Sequence, residues 1–187
     1  MPNWCNNGIT LRHADPAMID RVLKGKDGLL TEFLPTPQEL IDTVSGFVSE
    51  DKQAAHDLQQ EANRKKYGHP DWYQWNIANW GTKWDFGLEN VEQPDPNTVT
   101  AAFDSAWAPP TRAYEQLMEL GFEITAYYYE PGMAFVGKWE DGCDDYYEYG
   151  GETSETVREA IGEELDDYFG ISESMADWEA ENAEDLE

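Results

Sequence analysis

The chain is short of bases, short of cysteine, and has no long apolar run. Twelve Lys and Arg stand against 39 Asp and Glu, a formal charge of -27. A surface that negative repels phosphates, which argues against direct binding of nucleic acid or of an anionic membrane. Cys5 and Cys143 form no CxxC or Cys/His cluster, so neither structural zinc nor a disulfide framework is predicted. His13, His56 and His69 are scattered without HxH or HxxxH spacing, and no metal site is assigned. The chain has no G-x-S-x-G, GxGxxG or P-loop; no cofactor is expected and no catalytic residue is named. No stretch reaches the roughly 20 apolar residues that span a bilayer, and the N-terminal residues have no signal-peptide pattern. The expectation is a reduced protein of the bacterial cytoplasm.

Aromatic residues are plentiful. Eight Trp, ten Tyr and seven Phe in 187 residues supply enough buried surface for one well-filled core. The first strand is predicted over residues 8–13, where Ile9 and Leu11 alternate with polar neighbours. "ADPAMIDRVLKG" then reads as a helix with Asp15 as N-cap, Pro16 at the first helical position and Gly25 as stop. A proline-punctuated segment follows, with a short helix starting at Pro37. Residues 49–68 form a polar helix with little apolar face, expected to protrude or pack loosely. "HPDWYQWNIANWG" is another short helix ending at Gly81.

Strands are predicted within "TKWDFGLENV" and "NTVTAAFDSAW", the second with Val99, Ala101 and Phe103 on one face. A helix over residues 110–120 leads to two strands joined by Pro131-Gly132. That order, β-α-insert-β-β-α-β, is the ferredoxin-like plan with a helical insertion at about residues 29–80. The predicted class is therefore α+β: residues 1–139 form the ferredoxin-like domain, its helices burying Ile9, Leu11, Phe103 and Ile124.

The last 48 residues, 140–187, differ. They hold 19 acidic side chains and one base, Arg158. A first acidic aromatic strand or loop leads to one predicted helix with Val157, Ile161, Leu165 and Phe169 on a stripe. A further helix carries Met175 and Trp178. This acidic extension is expected to pack on the domain or project from it. "EDGCDD", residues 140–145, resembles a cation loop but lacks the EF-hand spacing.

"MPNWCNN", "NWGTKWD" and "SAWAPP" occur in that order. On these strings the chain resembles the YubB-type ferredoxin-like domain family of phages and conjugative plasmids, over about residues 1–139. The resemblance implies a mobile genetic element as source and a ferredoxin-like sheet. It implies no reaction.

Two candidate sites follow. The first is an acidic surface of Glu159, Glu163, Glu164, Asp166, Asp167, Glu173 and Asp177. It would bind a host protein with a basic surface, as a DNA mimic or as an accessory module. The second is a small-ligand or enzyme pocket of Asn3, Trp4, Asn6, Asn79, Trp80, Lys83, Trp84 and Trp107, with Asn7 beside them. Against that pocket, the rings can equally fill the junction between insert and sheet, and the Asn side chains can satisfy turns. On a strand, Lys83 and Asp85 would share a face as a surface ion pair. The starts of the first two strands can lie at opposite ends of such a sheet, which would split the pocket.

Overall fold

The structure, a computed structural model, describes residues 3–182. The end of the last predicted helix, with Glu184, Asp185 and Glu187, lies outside them. One six-stranded sheet organises the chain, in the order β2 (Glu89–Asp95), β3 (Thr98–Ala106), β1 (Trp4–His13), β4 (Phe122–Glu130), β5 (Phe135–Glu140) and β6 (Cys143–Glu148). Every neighbouring pair is antiparallel. The protein is thus a mixed α+β molecule built on an antiparallel sheet.

Side-chain alternation gives β1 two faces. Cys5, Asn7, Ile9 and Leu11 point to one of them and are buried. Register continues that face into Val99, Ala101 and Phe103 of β3 and Ile124 and Ala126 of β4. Over it lie α1 (Pro16–Lys24) and α6 (Thr111–Glu119), through Ile19, Val22, Tyr114 and Leu117. Asp15 starts α1 by accepting from the Ala17 amide at 3.0 Å, and Gly25 closes it. The insertion adds α2 (Leu29–Phe33), α3 (Gln38–Ile41), α4 (Glu50–Tyr67) and α5 (Trp72–Trp80). Leu29, Leu30, Phe33 and Trp80 extend the same core. In α4 only Asn63 is buried, where its amide donates to Thr43 Oγ1 and the Pro70 carbonyl.

The second sheet face is covered by the C-terminal segment. α7 (Val157–Ile161), α8 (Glu163–Phe169) and α9 (Ile171–Glu181) pack Val157, Ile161, Leu165 and Ile171 against Val136, Tyr127 and Tyr129. Tyr168 stacks on Tyr127 with ring centroids 4.4 Å apart. The extension therefore adds an edge strand, β6, to the sheet and a third layer, α7–α9, resting on it. The single predicted helix is two, because Gly162 breaks it with φ at +89°. The apolar stripe survives the break.

Two further expectations change. Residues 82–88, predicted as strand, are irregular, and β2 begins only at Glu89. "EDGCDD" is a hairpin turn joining β5 to β6. Asp141 and Gly142 both adopt positive φ, at 46° and 93°, the requirement of a two-residue type I′ turn.

Gly137 lies where β5 passes beneath Tyr128, whose hydroxyl donates to Asp144 Oδ1 on β6 at 2.6 Å. A Cβ at Gly137 would fall inside the Tyr128 ring tip and 2.6 Å from the Asp145 carbonyl. Gly137→Ala is expected to cost about 1–3 kcal/mol by overpacking. Gly150→Ala, whose Cβ would meet only Ala134 at an ordinary 3.7 Å, should be close to neutral. Chemical denaturation of the two variants checks this.

Candidate functional site

The motif strings separate into a core part and a surface part. Trp80 is core, 4% exposed. Its indole donates to the Leu34 carbonyl at 2.9 Å, and Trp75 packs on it edge-to-face. Asn79 turns inward on its own helix, donating to the Trp75 carbonyl at 2.9 Å. Asn6 donates to Asp104 Oδ1 across the β1–β3 pair at 2.7 Å. Asn7 is buried and donates to the Cys5 carbonyl, to Ser105 Oγ and to the Phe103 carbonyl. Cys5 is fully buried, and burial pushes its thiol up to about 12, so it stays protonated and inert.

Trp4, Trp84 and Trp107 do something else. They are 46%, 39% and 41% exposed, yet they touch in a row. Ring centroids lie 6.3 Å apart for Trp4–Trp84 and 6.2 Å apart for Trp84–Trp107. "NWCNN" lies within β1, so the antiparallel pairing of β1 with β3 sets Trp4 opposite Ala106 and next to Trp107. Thr82, buried, donates to the Ala106 carbonyl at 3.3 Å and pins the 82–88 segment to that end. The three strings therefore meet at one end of the sheet.

Lys83 does not pair with Asp85. Its ammonium lies 4.4 Å from the Trp84 centroid and 5.5 Å from those of Trp107 and Tyr73, a cation–π arrangement. Asp85 instead accepts from the Leu30 and Thr31 amides and from Phe86, fixing the start of α2. Trp107 holds φ at +68°, a conformation uncommon for a bulky residue and costing about 1–3 kcal/mol. The Trp107 amide donates to the Asn3 carbonyl at 3.0 Å, and Ser105 Oγ donates to Ala108, locking the turn. Asn3 thus supports the ridge through its backbone.

The acidic candidates also divide. Glu159, Glu163, Glu164, Asp167, Glu173 and Asp177 are exposed. Asp166 is 2% exposed and belongs to the interior. It accepts from the Ser172 amide and hydroxyl, both at 2.7 Å, and from Arg158 at 2.9 Å. Burial raises its pKa, but the bonds from Ser172 and then Arg158 outweigh burial and hold it below its ordinary value. Arg158 also contacts Asp167 and Glu163, each at 2.7 Å. Glu164 accepts from Tyr127 and Lys138, which lower its pKa in that order. Among the described residues, Glu159, Glu173 and Asp177 have no basic partner.

Among the described residues no group of three or more His, Cys, Asp or Glu is arranged to hold a metal, and no helix is long and apolar enough to cross a membrane. No protein-family model and no curated protein matches the chain. Among solved structures it is similar to a crystal structure of a protein api92 from Yersinia pseudotuberculosis, of the family model DUF1281. That match has 13% identity and a TM-score of 0.43, over 80% of this chain and 99% of that one.

Trp80→Ala should cost about 3–5 kcal/mol, because a buried indole leaves a cavity. Trp84→Ala, half in solvent, should cost about 1 kcal/mol or less by the same denaturation measurement. Asp166→Asn should cost about 1–3 kcal/mol through lost charge-assisted bonds. Asp166 and Glu164 bind protons less readily folded than unfolded. Their stabilisation is complete above the ordinary carboxylate range, about pH 4, and is lost as pH falls through the lower folded values. An acid titration followed by tyrosine near-UV dichroism should show α7–α9 loosening there, and less steeply in Asp166→Asn.

Proposed function

We propose that this is a non-enzymatic accessory protein that binds a host protein with a basic surface, using the outer face of α7–α9. One observation carries the reading. The helices of the most acidic segment form a folded layer whose apolar stripe is buried and whose carboxylates Glu159, Glu173 and Asp177 face solvent with no basic partner among the described residues. A segment kept only for solubility has no need of a packed scaffold. Carboxylates held on helices offer a basic protein a fixed array, as duplex DNA does with its phosphates. A DNA-mimic-like inhibitor of a nucleic-acid-binding or defence protein is the specific form this takes.

The source in a phage or plasmid, and with it the bacterial cytoplasm as location, rests on the resemblance of "NWCNN", "NWGTKWD" and "SAWAPP" to the YubB-type family. The ferredoxin-like assignment is supported by the strand order: β2-β3-β1-β4, with α1 after β1 and α6 after β3. β5 and β6 are additions at one edge. The exposed tryptophan row favours a second reading, a binding site of its own at the end of the sheet.

The test uses the full chain, because α7–α9 cover the second face and their removal would expose Tyr127, Tyr129 and Val136. Glu159→Lys, Glu173→Lys and Asp177→Lys together should abolish capture of a bacterial nucleic-acid-binding protein. Asp57→Lys with Glu61→Lys on α4 should leave capture nearly intact. Capture should fall with added salt, since exposed charges are screened within about 8 Å at physiological ionic strength, and duplex DNA should compete. Equal capture by both charge-reversed variants defeats the reading.

A further inference from the structure

A groove of about 570 Å³ opens beside Trp107, lined by Asn3, Trp107, Met133, Phe135, Tyr146 and Glu148. It lies on the sheet face opposite α7–α9. Phe135 and Glu148 are register partners, as are Gly137 and Tyr146, whereas Val136 between them faces the C-terminal layer. Phe135 is buried, and Trp107, Met133 and Tyr146 stand exposed around it. Tyr146 lies 5.4 Å from Phe135, ring to ring, and donates to Glu148 Oε1 at 3.1 Å.

From this geometry we infer that the groove receives an arginine side chain presented by a protein partner. Trp107 and Tyr146 stand exposed over buried Phe135 and offer aromatic surface to a planar cation, on which a guanidinium stacks with wider contact than a compact ammonium. Glu148 supplies a carboxylate for the forked hydrogen bonds of the same group, and among the described residues it has no basic partner. A second carboxylate lies behind the wall. Glu130, the register partner of Phe135, is 2% exposed and, among the described residues, accepts only from the Gly132 and Met133 amides, in the turn that carries Met133. The -27 charge of the chain raises the local concentration of any cationic partner.

The occupant is a polypeptide rather than a free guanidine. Trp107 is shared between the groove and the exposed row of Trp84 and Trp4. A small molecule fills the groove alone, whereas a chain entering with its arginine also covers that row. Exposed aromatic surface flanked by charge is characteristic of protein contact sites. The site is separate from the acidic layer and does not depend on it.

The probe is a Gly/Ser peptide carrying spaced arginines, titrated into the full chain with tryptophan fluorescence and calorimetry as readouts. Saturable binding is expected, weakened about tenfold by Trp107→Ala and by Glu148→Gln. The same peptide with lysine, and free arginine amide, should each bind more weakly. Glu148→Gln lies on an exposed edge strand and leaves the core untouched, so it decides the matter if Trp107→Ala disturbs folding. Charge reversal at Glu159, Glu173 and Asp177 should leave the saturable site in place, which keeps this result apart from the test of the acidic layer. Three outcomes overturn the inference: no saturable binding, equal binding by Glu148→Gln, or equal binding of a peptide with norleucine in place of arginine.

Discussion

Arg158 holds together a segment that would otherwise repel itself. It is the single base among the last 48 residues, and its guanidinium reaches Glu163, Asp166 and Asp167 at 2.7–2.9 Å. These bonds bridge the break at Gly162, joining the end of α7 to α8, while Asp166 reaches on to Ser172 at the start of α9. Three short helices, none long enough to be stable alone in water, become one layer through this junction. The apolar stripe then drives the layer onto the sheet. Apart from interior Asp166 and half-buried Glu179, the carboxylates of these helices are left on the outside, opposite the apolar stripe.

That layer solves a problem created by β4 and β5. β4 buries Ile124, Ala126 and Tyr128 on the α6 face and leaves Tyr127 and Tyr129 half-buried on the other, whereas β5 buries Phe135 and Trp139 on the first face and Val136 toward α7–α9. Tyr127 and Tyr129 add aromatic surface to the second face. Left open, it would be an apolar patch of the kind that drives association. The outer strands meet the same hazard differently. β2 pairs irregularly and carries Pro94 with Glu89, Glu92 and Asp95, and β6 exposes Asp144, Asp145 and Glu148. Charge and proline discourage further strands from adding at either edge.

Where sequence reading succeeded, the deciding signals were local. Asp15-Pro16 and Gly25 bracket α1, and the alternation in 98–106 and 122–130 is that of strands half or fully buried. The apolar stripe of Val157, Ile161 and Leu165 is legible as a packing face. The break at Gly162 was less so, since a glycine in a helical pattern continues a helix or ends it depending on tertiary context. Asp141-Gly142 is a hairpin signal that the surrounding carboxylates mask as a cation loop. The 82–88 segment misled for a clearer reason. Its alternation of Trp84 and Phe86 is that of a strand, but Asp85 is committed to the amides of α2, and a strand cannot supply that geometry. Asp166 looked like its exposed neighbours because nothing adjacent marks it. Only the approach of Ser172 and Arg158 makes it interior.

The tryptophans illustrate the remaining limit. Trp80 and Trp84 stand four positions apart in one motif, yet one is core and the other surface. Their difference comes from Gly81, whose φ of +82° ends α5 and turns the chain outward. Beyond that glycine, Thr82 anchors to β3 and Trp84 is delivered to Trp4 and Trp107. A protein that needed these rings only for stability would gain more by burying them, since half-exposed indoles forfeit much of their transfer free energy. Trp107 is in addition held in a strained conformation. Surface aromatics kept in a fixed row, on a chain whose charge acts at long range, suit a partner that is drawn by electrostatics and retained by contact. Charge mainly sets the rate of encounter, and buried aromatic anchors mainly set the lifetime of the complex.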